Sequence, residues 1–319
     1  MANRINRAIE LLLADQAIYY AGDHTGHDLS YAAGLRDAHT QADYINIGME
    51  HGAFDMAGLA EYLRGLVDGG PTNSGHRTPA VVVEAAVNGT DEANVRANAW
   101  QFRQILGRGA HGIILCQAEC PDAVRAFVES CRYPFHLAGQ DPGIAPPLQR
   151  LEGAGPRTGR TLPGGARTLG VGLRGRGSER TAAAIWGIDE KSYQGLADPW
   201  PLNPAGELLL GVKIESPEGV ARCDEILAVP GLGYAEMGPG DLSLSLGYRD
   251  LMRDPYPPEM EAARNKIFAA CRRHGLAFLE GCNASNIKAR LDEGVRVIPG
   301  HPEEILPIGR AHQKRTMPV

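Results

Sequence analysis

Residues 208–237 read LLLGVKIESPEGVARCDEILAVPGLGYAEM. An apolar run, 208–215, gives way to helical text over 218–229, with Pro217 suited to a first helical position and Gly231 to the stop before a second apolar run, 233–237. Two short strands separated by one helix lie parallel, because antiparallel neighbours need only a tight turn. The same unit recurs outward in both directions. Strands are expected at 17–21, 44–49, 80–85, 112–116, 208–215, 233–237, 277–280 and 295–299. Helices are expected at 29–38, 56–67, 91–106, 122–131, 218–229, 258–274, 283–293 and 302–313. Eight such pairs in order predict a single (β/α)8 TIM barrel. An open doubly wound sheet usually has fewer strands and a phosphate-binding Gly loop after the first, and none follows Tyr20.

The chain has 319 residues, and its 40 Gly and 22 Pro are unevenly placed. Residues 134–206 hold 23 of them in 73 residues, with no strand or helix pattern longer than a turn or two. The rest, 246 residues, is close to the roughly 250 of a plain barrel. One domain over 1–319 is therefore expected, carrying an insertion at 134–206 between the fourth helix and the fifth strand. Between Gln149 and Arg180 the insertion also carries seven Arg (150, 157, 160, 167, 174, 176 and 180) against Glu152 and Glu179.

At 43% hydrophobic and 22% charged, the composition is that of a globular protein and excludes collagen, coiled coil and disorder. No 18-residue apolar run predicts a membrane span, and the first 13 residues lack the order of a signal peptide, so a cytoplasmic location is expected. The six cysteines form no CxxC and read as reduced core residues. A net charge of −6 gives no field for a phosphate backbone, and neither nucleic acid nor membrane is expected as a partner.

In a barrel, chemistry sits where strands end at their carboxyl face. The fifth strand ends at Glu215 and the sixth runs into Gly238-Pro239-Gly240-Asp241. Adjacent parallel strands are about 4.8 Å apart, so Glu215 and Asp241 can share one ion, and oxygen donors suit Mg2+ or Mn2+. The turn Gly238, Pro239 and Gly240 offers backbone N–H groups to a substrate carboxylate. The second strand ends Glu50-His51-Gly52, making His51 a candidate general base and Glu50 its orienting group. Gln117, at the end of the fourth strand, is a candidate substrate contact, whereas His111 starts that strand at the opposite face.

These segments resemble the HpcH/HpaI family of metal-dependent class II pyruvate aldolases. The resemblance is carried by Lys213-Ile214-Glu215-Ser216-Pro217-Glu218-Gly219-Val220, by 224–231, by Gly238-Pro239-Gly240-Asp241-Leu242-Ser243 and by Glu50-His51-Gly52. Arg132-Tyr133-Pro134 and Gly172-Leu173-Arg174-Gly175 are similar to a further family segment. The resemblance implies a divalent metal held by Glu215 and Asp241, chelating a 2-oxo acid and stabilising the enolate that attacks or leaves an aldehyde. It also implies a homo-oligomer, a hexamer or trimer of dimers with exchanged terminal helices.

Two positions depart from the family. Its strand-two Asp, partner of the histidine, falls on Gly48, and its strand-three Arg falls on Glu84. Losing one such contact to a developing anion costs on the order of 3 kcal/mol in a barrier. Three readings follow: Arg174, Arg176 or Arg77 supplies the charge; Glu84 is itself a catalytic base or metal ligand; or the substrate differs. Asp23 and His24, after the first strand, are candidates to replace the missing partner of His51. The expected activity is that of a carbon–carbon lyase acting through a 2-oxo acid enolate. Its alternatives are an acyl-CoA lyase of the citrate lyase β-subunit type and a metal-binding barrel without aldol activity.

Overall fold

The computed structural model describes residues 2–140, 168–301 and 303–318. Eight strands form the barrel wall: β1 (Ile18–Asp23), β2 (Tyr44–Gly48), β3 (Ala80–Asn88), β4 (Gly112–Cys116), β5 (Leu208–Ile214), β6 (Tyr234–Met237), β7 (Ala277–Leu279) and β8 (Val297–Pro299). Each pairs in parallel with the next, and Ile18 opposite Val297 closes β1 on β8. The sheet is therefore the closed (β/α)8 barrel that the recurring unit predicts.

The helices follow ordinary start and stop chemistry. Ser216 accepts the Gly219 N–H ahead of helix Pro217–Leu227, and left-handed glycines end Ala99–Arg108, Pro258–His274 and Ile287–Glu293. The single helix expected over 91–106 is two, Glu92–Ala97 and Ala99–Arg108, because the backbone of Asn98 leaves helical geometry.

The insertion carries more order than its Gly and Pro content suggests. Helices Glu179–Trp186 and Glu190–Leu196, about two turns each, and a two-residue strand, Pro199–Trp200, lie within it. Averaging over 73 residues hid a local apolar pattern in which Ala182, Ala183, Ile185, Trp186 and Tyr193 are buried. These residues pack beneath the barrel, where Trp186 Nε1 donates to Gly109 O and the Tyr193 hydroxyl to Leu106 O. Arginines 150, 157, 160 and 167 of the basic cluster lie outside the described residues.

Inside the barrel the alternation of side chains has a polarity. At the amino end, helix Arg7–Leu13 plugs the floor with Ala8, Ile9 and Leu11 against Ile18, Tyr44, Leu209 and Val297. Tyr20, Val82, Ile114, Tyr234 and Leu279 fill the levels above. Gly211 leaves room there, since a Cβ would lie 2.5 Å from the Tyr234 ring. Two residues further along, the same faces become Asn46, Glu84, Lys213 and Glu236. Apolar packing at the floor thus ends in a charged layer at the carboxyl mouth.

Candidate active site

The mouth opens into a cavity of about 600 Å³ whose lining includes His24, His51, Lys213, Glu215, Glu236 and Asp241. Glu215 and Asp241 share this cavity, and the Glu215 carboxylate is seated by the backbone: Oε2 accepts the Gln117 N–H at 2.9 Å. A Cβ on Gly238 would lie 2.1 Å from Glu215 Oε1, so this glycine is what lets the carboxylate lie against the β6 turn. Gln117 holds a left-handed φ of 48° while making its contact. Asp241 stands in the first turn of helix Pro239–Ser245.

Among the described residues, the donor atoms of Glu50, His51 and Asp241 lie within 4.8 Å of one another. His51 Nε2 is 3.6 Å from Glu50 Oε2 and 3.7 Å from Asp241 Oδ2. A second acidic group, Glu50 with Glu84 and Cys116, is already occupied by a cation of the chain itself. Lys213 Nζ donates to Glu50 at 3.3 Å and to Glu84 at 3.1 Å, with all three side chains buried. Burial disfavours the ammonium, but the surrounding Glu236, Glu84 and Glu215 outweigh it and hold Lys213 charged.

One lysine does not balance these acids. Burial pushes the Glu215 carboxyl well above the usual carboxylate range and raises Glu236, whose Oε2 has no hydrogen-bond partner. An under-compensated buried carboxylate, a free carboxylate oxygen and Asp241 in one cavity fit a divalent cation, and oxygen donors fit a hard one.

Glu84 occupies the centre of a second constellation. It is fully buried, yet Oε1 accepts from His24 Nδ1 at 2.6 Å and from Asn46 Nδ2 at 2.7 Å, while Oε2 takes Lys213. Burial alone would raise its pKa; the His24 hydrogen bond and the Lys213 charge reverse the sign and bring it to about 2. The other ring nitrogen, His24 Nε2, is 3.2 Å from the Tyr20 hydroxyl.

Several expected placements change. His24 does not pair with His51; it pairs with Glu84, and Asp23 instead accepts from the Thr25 N–H and hydroxyl. The reason is at Gly48, where a Cβ would lie 2.0 Å from the His24 carbonyl oxygen. The loop after β1 fills the space an acid at position 48 would need. Arg174 is not at the mouth: it lies buried between the Tyr133 and Tyr193 rings at the opposite end, donating to the Tyr193 hydroxyl. Arg77 donates to the Ile185 carbonyl at that same end, and Arg176 is exposed on the insertion. A helix-to-strand connection emerges at the amino face, so its arginines start a full strand length from the chemistry.

Lys213, Glu236, Asn46 and Tyr20 were not singled out by strand ends. Each lies two residues before a position that was, or two before the next inward residue, so counting back by two along each strand finds them.

The HpcH/HpaI aldolase/citrate lyase family profile matches residues 36–293. The hydroxypyruvate/pyruvate aldolase of Paraburkholderia phytofirmans is 26% identical over 273 residues, 84% of this chain and 82% of that protein. The 2-keto-3-deoxy-L-rhamnonate aldolase of Escherichia coli O1:K1 is 32% identical over 175 residues, 54% of this chain and 49% of that protein. A crystal structure of an HpcH/HpaI aldolase/citrate lyase family protein from Burkholderia cenocepacia J2315 superposes with a TM-score of 0.64 at 23% identity, covering 96% of this chain and 97% of that one. That likeness is one of fold.

Proposed function

Because the chain belongs to the HpcH/HpaI aldolase/citrate lyase family, a family of lyases, we propose that it makes or breaks the C3–C4 bond of a 4-hydroxy-2-oxo acid, with pyruvate or a close relative as the 2-oxo acid. Glu215 carries this reading: a buried carboxylate, cradled at Gly238 and given one backbone N–H, facing the cavity that Asp241 also lines. Glu215 and Asp241 would hold Mg2+ or Mn2+, with Glu50 and His51 beside Asp241. A bound divalent cation acidifies the C3 protons of a chelated 2-oxo acid and spreads the enolate charge.

The chain's own residues do the rest. The first-turn backbone N–H groups of Gly240 and Asp241, presented by the Gly238-Pro239 turn, bind the substrate carboxylate, and Gln117 orients it. His51, beside Asp241, exchanges the proton at C3. Lys213 supports the negative charge that the family's arginine would otherwise meet, held in place by Glu50 and Glu84. The six free cysteines are in keeping with a reducing cytoplasm, and homo-oligomeric assembly belongs to the same proposal.

Pyruvate C3 proton exchange into D2O tests the reading. Exchange that depends on added Mn2+ and is lost in Glu215→Gln supports it; no exchange with any divalent metal would point to a barrel that has lost aldol chemistry.

A further inference from the structure

Aldol cleavage moves two protons. One leaves the C4 hydroxyl as the C3–C4 bond breaks, and another arrives at C3 of the enolate. His51 Nε2 stands 3.7 Å from Asp241 Oδ2, one of the two carboxylates that would hold the metal. A second ring lines the same cavity with an orienting acid of its own: His24 is 39% exposed, while its partner Glu84 is fully buried. Glu84 is in turn fixed by Asn46 and Lys213, so the carboxylate cannot swing away.

We infer that His24 is the acid–base residue for the aldehyde oxygen, with Glu84 as its positioning residue, an assignment that rests on the lyase reading above. With Nδ1–H donated to Glu84, Nε2 is the nitrogen that gains and loses the proton. The Tyr20 hydroxyl contact at 3.2 Å is long for an O–H donor, so a substrate hydroxyl entering the cavity can take its place. In cleavage Nε2 accepts the C4 hydroxyl proton, the C3–C4 electron pair becomes the enolate, and C4 becomes the aldehyde carbonyl. In addition the imidazolium returns that proton to the aldehyde oxygen as the bond forms. Burial would lower the His24 pKa, but the Glu84 hydrogen bond and the Glu236 charge outweigh it and raise it. Tyr20, Asp23 and Lys213 are the other titratable groups that face the ring.

The test uses the full chain loaded with Mn2+, pyruvate for C3 exchange, and pyruvate with acetaldehyde for aldol addition. In His24→Gln the ratio of addition rate to exchange rate falls about 100-fold, with Mn2+ affinity unchanged by titration calorimetry. In Glu84→Gln the addition pH profile and the His24 ring resonances both shift to lower pH. An unchanged ratio in His24→Gln, whether both rates fall together or neither does, overturns the inference and leaves the lyase reading standing. Absence of exchange in the unaltered enzyme overturns the lyase reading, and the inference with it.

Discussion

Glu84 Oε1 lies 2.6 Å from His24 Nδ1, joining the end of β1 to the middle of β3 across the mouth of the barrel. The buried Glu84 carboxylate thus holds the ring of a histidine from another strand by its Nδ1. Glu84→Gln keeps the shape and removes the charge. The His24 pKa is expected to drop, because burial then acts with less opposition. Histidine NMR titration checks this, and an unmoved His24 resonance would contradict the pairing.

Lys213 sits between Glu50 and Glu84 with almost no solvent contact. Replacing it by Met leaves two buried acids facing each other and is expected to cost about 3–5 kcal/mol of stability. Adding Glu84→Met should recover part of that loss, since removing both ends of a buried pair costs less than removing one. Urea unfolding of the two single variants and the double variant measures it; strictly additive losses would sink the idea.

Position 48 has no room for an acidic side chain. The Cβ of any residue there meets the His24 carbonyl oxygen at 2.0 Å, a backbone atom that moves only with its loop. Gly48→Ala is expected to lose about 2–3 kcal/mol, and Gly48→Asp to be no more active than the parent. A Gly48→Ala protein melting with the parent would show that the loop after β1 yields freely.

Burial depresses the His111 pKa to about 3, while Nδ1 accepts the Val81 N–H and the ring stacks on Trp186. The unfolded chain takes up this proton near pH 6.5 and the folded one does not, so stability falls as pH drops from 6.5 toward 3. Between pH 6.5 and 4 the loss from this one group is about 3 kcal/mol. In His111→Gln the protein is weaker at pH 7 but loses less on acidification. Equal pH sensitivity of parent and variant would refute it.

Mn2+ at 100 times its dissociation constant is expected to add about 2.7 kcal/mol to the parent's stability. Glu215→Gln and Asp241→Asn should each lose most of that gain, whereas Glu280→Gln should not, since Glu280 is already paired with Arg264. Thermal melts with and without metal decide it, and an undiminished shift in Glu215→Gln would remove that residue from the ligand set.

The barrel is legible in the order of the residues, because each βα unit writes its period, cap and stop within thirty residues, as 208–237 shows. That order also marked Glu215, Asp241 and His51, which lie at strand ends and need only the direction of the chain to be placed at the mouth. Tertiary structure alone decided their partners. Glu84 meets His24 sixty positions away, Gly48 yields its space to the loop after β1, and Arg174 is buried at the far end. Alternation along a strand tells which residues face inward; the path of a loop and the stagger of eight strands decide which inward residues touch, and those are set by packing among distant segments.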